Sequence, residues 1–318
     1  MTKTHCGYVA ILGRPNMGKS TLLNAMVGQK IAGVSAKPQT TRNRILGITC
    51  IEDRQILFLD TPGIHRSQKK EKLNTMMNRE AWTVVSETDL VLYLVDSLSG
   101  WQDTDDDFFT NILKTGECPV MLVLSKVDRL KRQAAQAMAG SIQQRVEELL
   151  LKVPESGRCR LQNSKPILAS AKDKELLQAL GQKIGQLMPE GPWLYPDDDL
   201  TDRPQKFVVG ELIREKVFRL LGEELPYHAA VVVESLEWGE TLVKVGASII
   251  VARASHKGMV IGKGGSKIKE IGTASRESLE KHFGQQVFLD LEVVVDEDWT
   301  NNETLIAQYS SLDFSKLN

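Results

Sequence analysis

"GRPNMGKS", residues 13–20, stands between the apolar run Tyr8-Val9-Ala10-Ile11-Leu12 and the stretch Thr21-Leu22-Leu23-Asn24-Ala25-Met26. The first run reads as a buried strand and the second as part of a helix over 19–27. Gly13 and Gly18 bracket the loop and Lys19-Ser20 close it, which fills the spacing G-x-x-x-x-G-K-[ST]. Glycines at these positions let successive N–H groups turn inward around anionic oxygens, in front of a helix N-terminus that favours negative charge. The pattern predicts that Lys19 reaches the β- and γ-phosphates of a nucleoside triphosphate and that the Ser20 hydroxyl ligates Mg²⁺. Gly13, Arg14, Pro15, Asn16, Met17, Gly18, Lys19, Ser20 and Thr21 form the expected phosphate site. A capped turn is the plain alternative, and the strand-loop-helix context disfavours it.

Residues 1–188 continue the alternation. Strands are expected at 9–12, 44–49, 55–60, 90–95, 120–125 and 166–169, and helices at 19–27, 71–86, 105–114, 134–151 and 174–188. Strand followed by helix, repeated, predicts a mostly parallel sheet covered on both faces. Leu90 to Val95 and Val120 to Leu124 are apolar without alternation, as a central parallel strand requires. "PEGPWLYPDDDLTDRP", residues 189–204, holds four prolines and an acidic cluster and reads as a linker. Beyond it, residues 205–318 change order: a helix over 205–221, strands at 229–236 and 242–253, two short helices, and a strand at 287–295. That order, α-β-β-α-α-β, predicts a smaller α+β domain, and the tail beyond 301 could add a helix.

Three later segments narrow the nucleotide. Asp60-Thr61-Pro62-Gly63 ends a strand and should bring Asp60 to the Mg²⁺ and the Gly63 N–H to the γ-phosphate. Ser125-Lys126-Val127-Asp128 ends another. A carboxylate at 128 can accept from guanine N1–H and the 2-amino group, and adenine offers neither donor. Ser170-Ala171-Lys172 ends the last strand, where a backbone N–H can meet guanine O6. All lie at strand carboxyl ends, the usual binding edge of an open α/β sheet.

A second glycine loop, Gly262-Lys263-Gly264-Gly265, lacks the K-[ST] ending and any acidic Mg²⁺ partner. Between two short helices it fits the G-x-x-G of a KH domain, which clamps the backbone of about four unpaired nucleotides. Arg253, Lys257, Ile261, Gly262, Lys263, Gly264, Gly265, Lys267 and Lys269 are the expected RNA-binding residues. Arg276 and Lys281 add charge, against Glu270, Glu277 and Glu280.

Composition sets bounds. The net charge is −1 over 318 residues, so any nucleic-acid site must be a local patch. Cys6, Cys50, Cys118 and Cys159 form no C-x-x-C pair, which fits a reducing cytosol rather than a zinc ribbon or a disulfide framework. No stretch has the look of a signal peptide or of a transmembrane span. Asp103, Asp105, Asp106 and Asp107 read as a solvated helix start rather than a Ca²⁺ site. Trp299 reads as domain packing. Met76, Met77 and Trp82 read as packing beside the site, and His65, His228, His256 and His282 show no ligand spacing.

The 13–20 loop, Pro38-Gln39-Thr40-Thr41-Arg42, Asp60-Thr61-Pro62-Gly63-Ile64 and the carboxyl-terminal KH-type domain together resemble the Era family, within the translation-factor branch of the Ras-like GTPases. The resemblance covers nearly the whole chain. It implies an α/β P-loop GTPase domain with a mixed, mostly parallel sheet, plus a smaller α+β type II KH domain. It implies a GTP-hydrolysing switch that cycles between GTP and GDP. The switch binds 16S ribosomal RNA near its 3′ end and assists assembly of the 30S subunit. It implies a cytoplasmic monomer, with peripheral contact at the inner membrane left open. Catalysis falls to Lys19, Thr41 and Gly63, and Mg²⁺ to Ser20, Thr41 and Asp60, with Thr40 the rival for the switch threonine. K⁺ beside Asn16 is a further expectation from relatives with Asn in this loop. Two departures stand out. Ser125 takes the place of the family's usual Asn: it keeps a hydroxyl but loses the amide that braces neighbouring loops and the base, while Asp128 remains to prefer guanine. Ile64 follows Gly63 where Ras-type proteins carry a water-orienting Gln. These departures give weight to one rival reading, an RNA- or membrane-binding module with a hydrolytically idle nucleotide site; a second rival, a P-loop enzyme that modifies RNA, finds no second catalytic constellation in the sequence.

Overall fold

The computed structural model describes residues 3–35, 37, 44–60, 85, 87–222, 225–297, 299–300 and 302–310. The described residues fall into two compact units: one runs to Gln29 and from Arg44 to Asp202, the other holds Lys30 to Lys37 and everything from Arg203 on.

The first unit is a six-stranded sheet in the order β2-β3-β1-β4-β5-β6. Its strands are β1 (His5–Leu12), β2 (Ile45–Ile51), β3 (Arg54–Asp60), β4 (Leu90–Asp96), β5 (Val120–Ser125) and β6 (Ile167–Leu168). β2 runs antiparallel to β3 and every other pairing is parallel. All residues of β4 and β5 are buried, which is why their sequences do not alternate. Helices α1 (Lys19–Val27), α2 (Asp103–Thr115), α3 (Arg132–Leu150), α4 (Glu155–Arg158) and α5 (Lys174–Gly185) follow the strands. Phe109 and Ile112 of α2 and Ile142 and Val146 of α3 join one core with Tyr93 of β4 and Leu122 of β5. The helix expected over 71–86 lies outside the described residues. α5 stops at Gly185 rather than Met188, because Pro189 disfavours helical backbone just before it.

Residues 189–200 do not hang free. Cys6 N–H bonds to Pro189 O (3.1 Å), and Gly191 N–H to Thr4 O (3.0 Å). The Gln55 side chain accepts from the Leu194 and Tyr195 N–H groups and donates to Tyr195 O. Ile48 N–H donates to Leu200 O at 2.9 Å, so the stretch also covers the edge of β2. An exposed strand edge needs such cover.

The second unit begins with α6 (Gln205–Leu220), then β7 (Ala229–Trp238), β8 (Leu242–Val251), α7 (Ala254–Ile261), α8 (Ser266–Phe283), β9 (Gln286–Val295) and α9 (Glu303–Ser310). Its sheet order is β7-β8-β9, with β7 antiparallel and β9 parallel to β8. A parallel neighbour demands a crossover, and α7 and α8 supply it. Val209, Leu212 and Ile213 of α6 pack with Val243 and Val245 of β8 and Leu279 of α8. Trp299 is fully buried and packs with Ala230 and Ile250. Its Nε1–H donates to His228 O, so the indole is a packing residue.

Residues 30–37 belong to this second unit because of one carboxylate. Glu215 of α6 is 1% exposed. It accepts from Lys30 Nζ (2.6 Å) and from the Val34 N–H (2.8 Å), with Lys216 also bound to it. Burial opposes the charge, yet these donors hold the Glu215 carboxyl below its ordinary range.

Candidate functional site

The phosphate loop begins on backbone that only glycine tolerates. Gly13 has φ +144°, and a Cβ there would lie 2.6 Å from Leu94 O. Lys19, the first residue of α1, is 6% exposed and donates to Gly13 O and Arg14 O, both at 3.1 Å. Its ammonium therefore occupies the centre of the ring that phosphate oxygens would enter. Burial pulls its pKa down to about 8, partly countered by Asp60 and assisted by Lys126.

Ser20 Oγ donates to Asp60 Oδ2 at 2.6 Å. A hydroxyl beside a buried carboxylate, on the rim of an anion loop, is a hard-oxygen pair suited to Mg²⁺ that shares its shell with phosphates. The donor set fits the ion. Among the described residues no group of three or more His, Cys, Asp or Glu could hold a metal by itself.

The base pocket is lined by Gly18, Leu22, Ser125, Lys126, Asp128 and Ala171. Asp128 accepts from Ser170 Oγ at 2.7 Å, and Lys172 Nζ stands 3.5 Å from its other oxygen. The Ser170 hydrogen bond, more than any other cause, holds the Asp128 carboxyl below its ordinary pKa, so it stays an acceptor at neutral pH. Ser170 Oγ also accepts the Lys172 N–H, which turns the 170–172 backbone along the pocket. Lys126 adopts φ +58°, its carbonyl receives Ser97 Oγ, and its ammonium bridges Asp96 (2.7 Å) and Asn16 O. The Lys126 stem thus forms one wall.

Two findings correct the sequence reading. Asp105 is not a solvated helix-start residue: it is fully buried. It pairs with Arg14 Nε (2.9 Å), accepts from Tyr93 OH (2.9 Å), and takes the Gln102 N–H in a capping box. Arg14 also donates to Gly100 O at 2.7 Å. The phosphate loop is thereby anchored to the start of α2. A Gln three residues before an Asp at a helix start was the only local sign. Burial pushes the Asp105 carboxyl up against these donors. Second, losing the amide at 125 does not remove the brace. Ser125 Oγ lies 2.6 Å from Met17 O and 3.2 Å from Val95 O, joining β5 to the loop and to β4.

Gly13 to Thr21, Asp60, Ser125, Lys126, Asp128 and Ser170 to Lys172 therefore gather at one sheet edge of the first unit. Thr40, Thr41, Thr61, Pro62, Gly63 and Ile64 lie outside the described residues.

In the second unit, Gly262 (φ +73°), Gly264 (φ +58°) and Gly265 (φ +78°) turn the chain between α7 and α8. A Cβ at Gly264 or Gly265 would meet nothing within 4 Å. The loop is open, and the N-terminus of the 18-residue α8 follows directly. Lys267 pairs with Glu270 and Arg276 with Glu280. Among the described residues no ion pair engages Arg253, Lys257, Lys263 or Lys269. Met259, beside the loop on α7, is 60% exposed, an apolar side chain open to solvent next to the glycine turn.

Comparison with known proteins gives the same division. Residues 8–126 match the family model of the 50S ribosome-binding GTPase, and residues 224–300 that of the KH domain. GTPase Era of Coxiella burnetii is 42% identical over 308 residues, covering 97% of this chain and 98% of that protein. GTPase Era of Stenotrophomonas maltophilia is also 42% identical with the same coverage. Among solved structures, an Era variant of Aquifex aeolicus bound to GDP and AlF4⁻ matches with TM-score 0.84 and 34% identity, covering 96% of this chain and 99% of that one. An Era in complex with MgGDPNP and nucleotides 1506–1542 of 16S ribosomal RNA matches with TM-score 0.83 and 34% identity, covering 96% and 98%. With a P-loop GTPase unit on a mostly parallel sheet and a KH unit following it in sequence, this chain belongs to the Era family of GTPases.

Proposed function

We propose that this chain is a guanine-nucleotide switch that hydrolyses GTP to GDP and phosphate, binds the 3′-end region of 16S ribosomal RNA, and assists 30S assembly. The observation that carries the nucleotide reading is the ionised Asp128, held by Ser170 and Lys172 on the same pocket as Gly18 of the phosphate loop. Its carboxylate accepts from guanine N1–H and the 2-amino group, and adenine leaves it unpaired at a cost of orders of magnitude in affinity.

Lys19 and the 13–20 backbone bind and orient the triphosphate, and Ser20 and Asp60 hold Mg²⁺. When bound, the ion offsets charge on the β- and γ-oxygens. The rest of the chemistry is positioning and charge stabilisation of the γ-phosphoryl, with water as acceptor. Thr41 as the closing ligand, Gly63 as the γ-phosphate N–H donor and K⁺ beside Asn16 are readings supported by the family resemblance. The Gly262–Gly265 loop, with Arg253, Lys257, Lys263 and Lys269 around it, fits a single-stranded RNA backbone. The complex of a 34% identical Era with 16S nucleotides supports that choice of RNA. We place the protein in the cytoplasm, as a monomer. No helix among the described residues is long and apolar enough to cross a membrane.

Asp128→Asn is the test. An amide donates where the carboxylate accepted, so the variant should lose GTP affinity and gain xanthosine triphosphate binding. Unchanged preference for GTP in a competition assay rules out the base contact.

A further inference from the structure

Guanine presents two polar edges. One carries N1–H, the 2-amino group and O6; the other carries N7, an acceptor that only a donor can read. Resting on the guanine reading above, we propose that this pocket reads the first edge and leaves N7 unread. Ser125 is then a positioning residue that ties β5 to the phosphate loop, and not a base contact.

The argument turns on a single proton. Ser125 lines the pocket and is 5% exposed. Its hydroxyl carries one hydrogen. Met17 O lies 2.6 Å away and Val95 O 3.2 Å away, and both can only accept. The proton therefore points inward, to Met17 O in the shorter arrangement. What Ser125 turns toward the pocket is a lone pair, which cannot bond the lone pair of N7. Swinging the proton outward would set the buried Met17 and Val95 carbonyls against an acceptor, which costs more than one exposed hydrogen bond returns.

The neighbouring donor is also committed. Lys126 Nζ is drawn across the loop end to Asp96 and Asn16 O, leaving its methylene stem along the base wall. The polar groups that remain well placed sit on the other side. Asp128 is held as an acceptor for N1–H and the 2-amino group, and since the Lys172 N–H is spent on Ser170 Oγ, the Ala171 backbone on the pocket wall is the one left to meet O6. Specificity then comes from one edge of the base, while the hydroxyl at 125 holds the pocket floor to the loop that grips the phosphates.

The experiment is calorimetry on the full chain with GDP, 7-deaza-GDP and inosine diphosphate, for the unmutated protein, Ser125→Asn and Ser125→Ala. 7-Deaza-GDP replaces N7 with C–H and keeps the other edge, and inosine lacks only the 2-amino group. The unmutated protein should bind GDP and 7-deaza-GDP within about twofold of each other. Inosine diphosphate should bind several-fold more weakly. Ser125→Asn supplies an amide donor, so it should favour GDP over 7-deaza-GDP by roughly three- to tenfold. Ser125→Ala should weaken both ligands in equal proportion. A preference of about fivefold or more for GDP in the unmutated protein overturns the proposal. A Ser125→Asn ratio that stays at one puts N7 out of reach of this wall and overturns the argument that the inward serine proton is what leaves N7 unread. Equal binding of GDP and inosine diphosphate would instead remove the contact between Asp128 and the 2-amino group on which the guanine reading rests, and the two failures are read from different ligands.

Discussion

The two glycine-lysine loops look alike in sequence and are built in opposite ways. In the first, four charged or polar groups are already engaged within the protein: Lys19 with loop carbonyls, Arg14 with Asp105, Ser20 with Asp60, and Ser125 with Met17. A Cβ at Gly13 would strike Leu94 O. In the second, Gly264 and Gly265 face open space. The first loop is a socket whose shape precedes its ligand. The second is an open clamp whose partner completes it. Preorganisation suits phosphoryl transfer, where positioning supplies most of the rate. An open clamp suits a polymer that must thread past.

If the contrast is real, damage at the two loops should differ in kind. The largest effect is expected at the buried anchor of the first. Asp105→Ala strands Arg14 and Tyr93 OH in a buried site, and breaking such a pair costs about 3 kcal/mol. Urea unfolding should show that loss, and GDP affinity should fall with it because Arg14 lies in the loop. A stable variant with intact GDP affinity would show the socket does not depend on this anchor.

Next comes pH. With no nucleotide, Lys19 titrates at about 8. Phosphates favour the ammonium, so binding raises its pKa and takes up a proton above pH 8. GDP affinity should be flat below that value and fall as pH rises through it, at most about tenfold per unit. The same shift means the nucleotide-free protein gains stability between about pH 8 and Lys19's unfolded pKa, since the unfolded chain binds the extra proton there. Lys19→Arg keeps its charge throughout. It should remove the slope and leave only the titration of the base. Calorimetry from pH 7 to pH 9.5 checks this, and identical slopes for the two proteins would contradict it.

The smallest effect on the fold is expected at the clamp. Gly264→Asp puts a side chain into open space at φ +58°, a strain of roughly 1 kcal/mol. Melting temperature should barely move while RNA binding is lost, because the carboxylate faces phosphate. Retained RNA affinity in a filter-binding assay would place the RNA elsewhere.

How far the sequence carried the reading follows the same divide. Local pattern was enough where a run or a loop acts by itself. Leu90 to Val95 and Val120 to Leu124 announced buried strands, and both glycine loops stood out from their neighbours. What could not be read locally depends on distant partners. Four acids at the start of α2 look like a solvated, dipole-favoured start, and only the approach of Arg14 and Tyr93 makes Asp105 a buried anchor. Residues 189–200 have linker composition, yet Gln55 and Ile48 supply backbone partners for them. Residues 30–37 carry no mark of their attachment to Glu215. At Ser125 the retained hydroxyl was legible but its partner was not: Met17 O, 2.6 Å away in a distant loop, is what makes it a brace.

The central claim is that socket and clamp belong to one switch. Titrating a single-stranded 16S 3′-end RNA against the full chain, loaded with a non-hydrolysable GTP analogue or with GDP, tests it. The account predicts tighter RNA binding in one nucleotide state. By linkage, RNA must then change the ratio of GTP-analogue to GDP affinity by the same factor. Gly264→Asp should abolish both effects and leave nucleotide binding near normal. RNA affinity that is equal in the two states, with nucleotide affinities unmoved by RNA, would contradict the account even if each site binds its ligand.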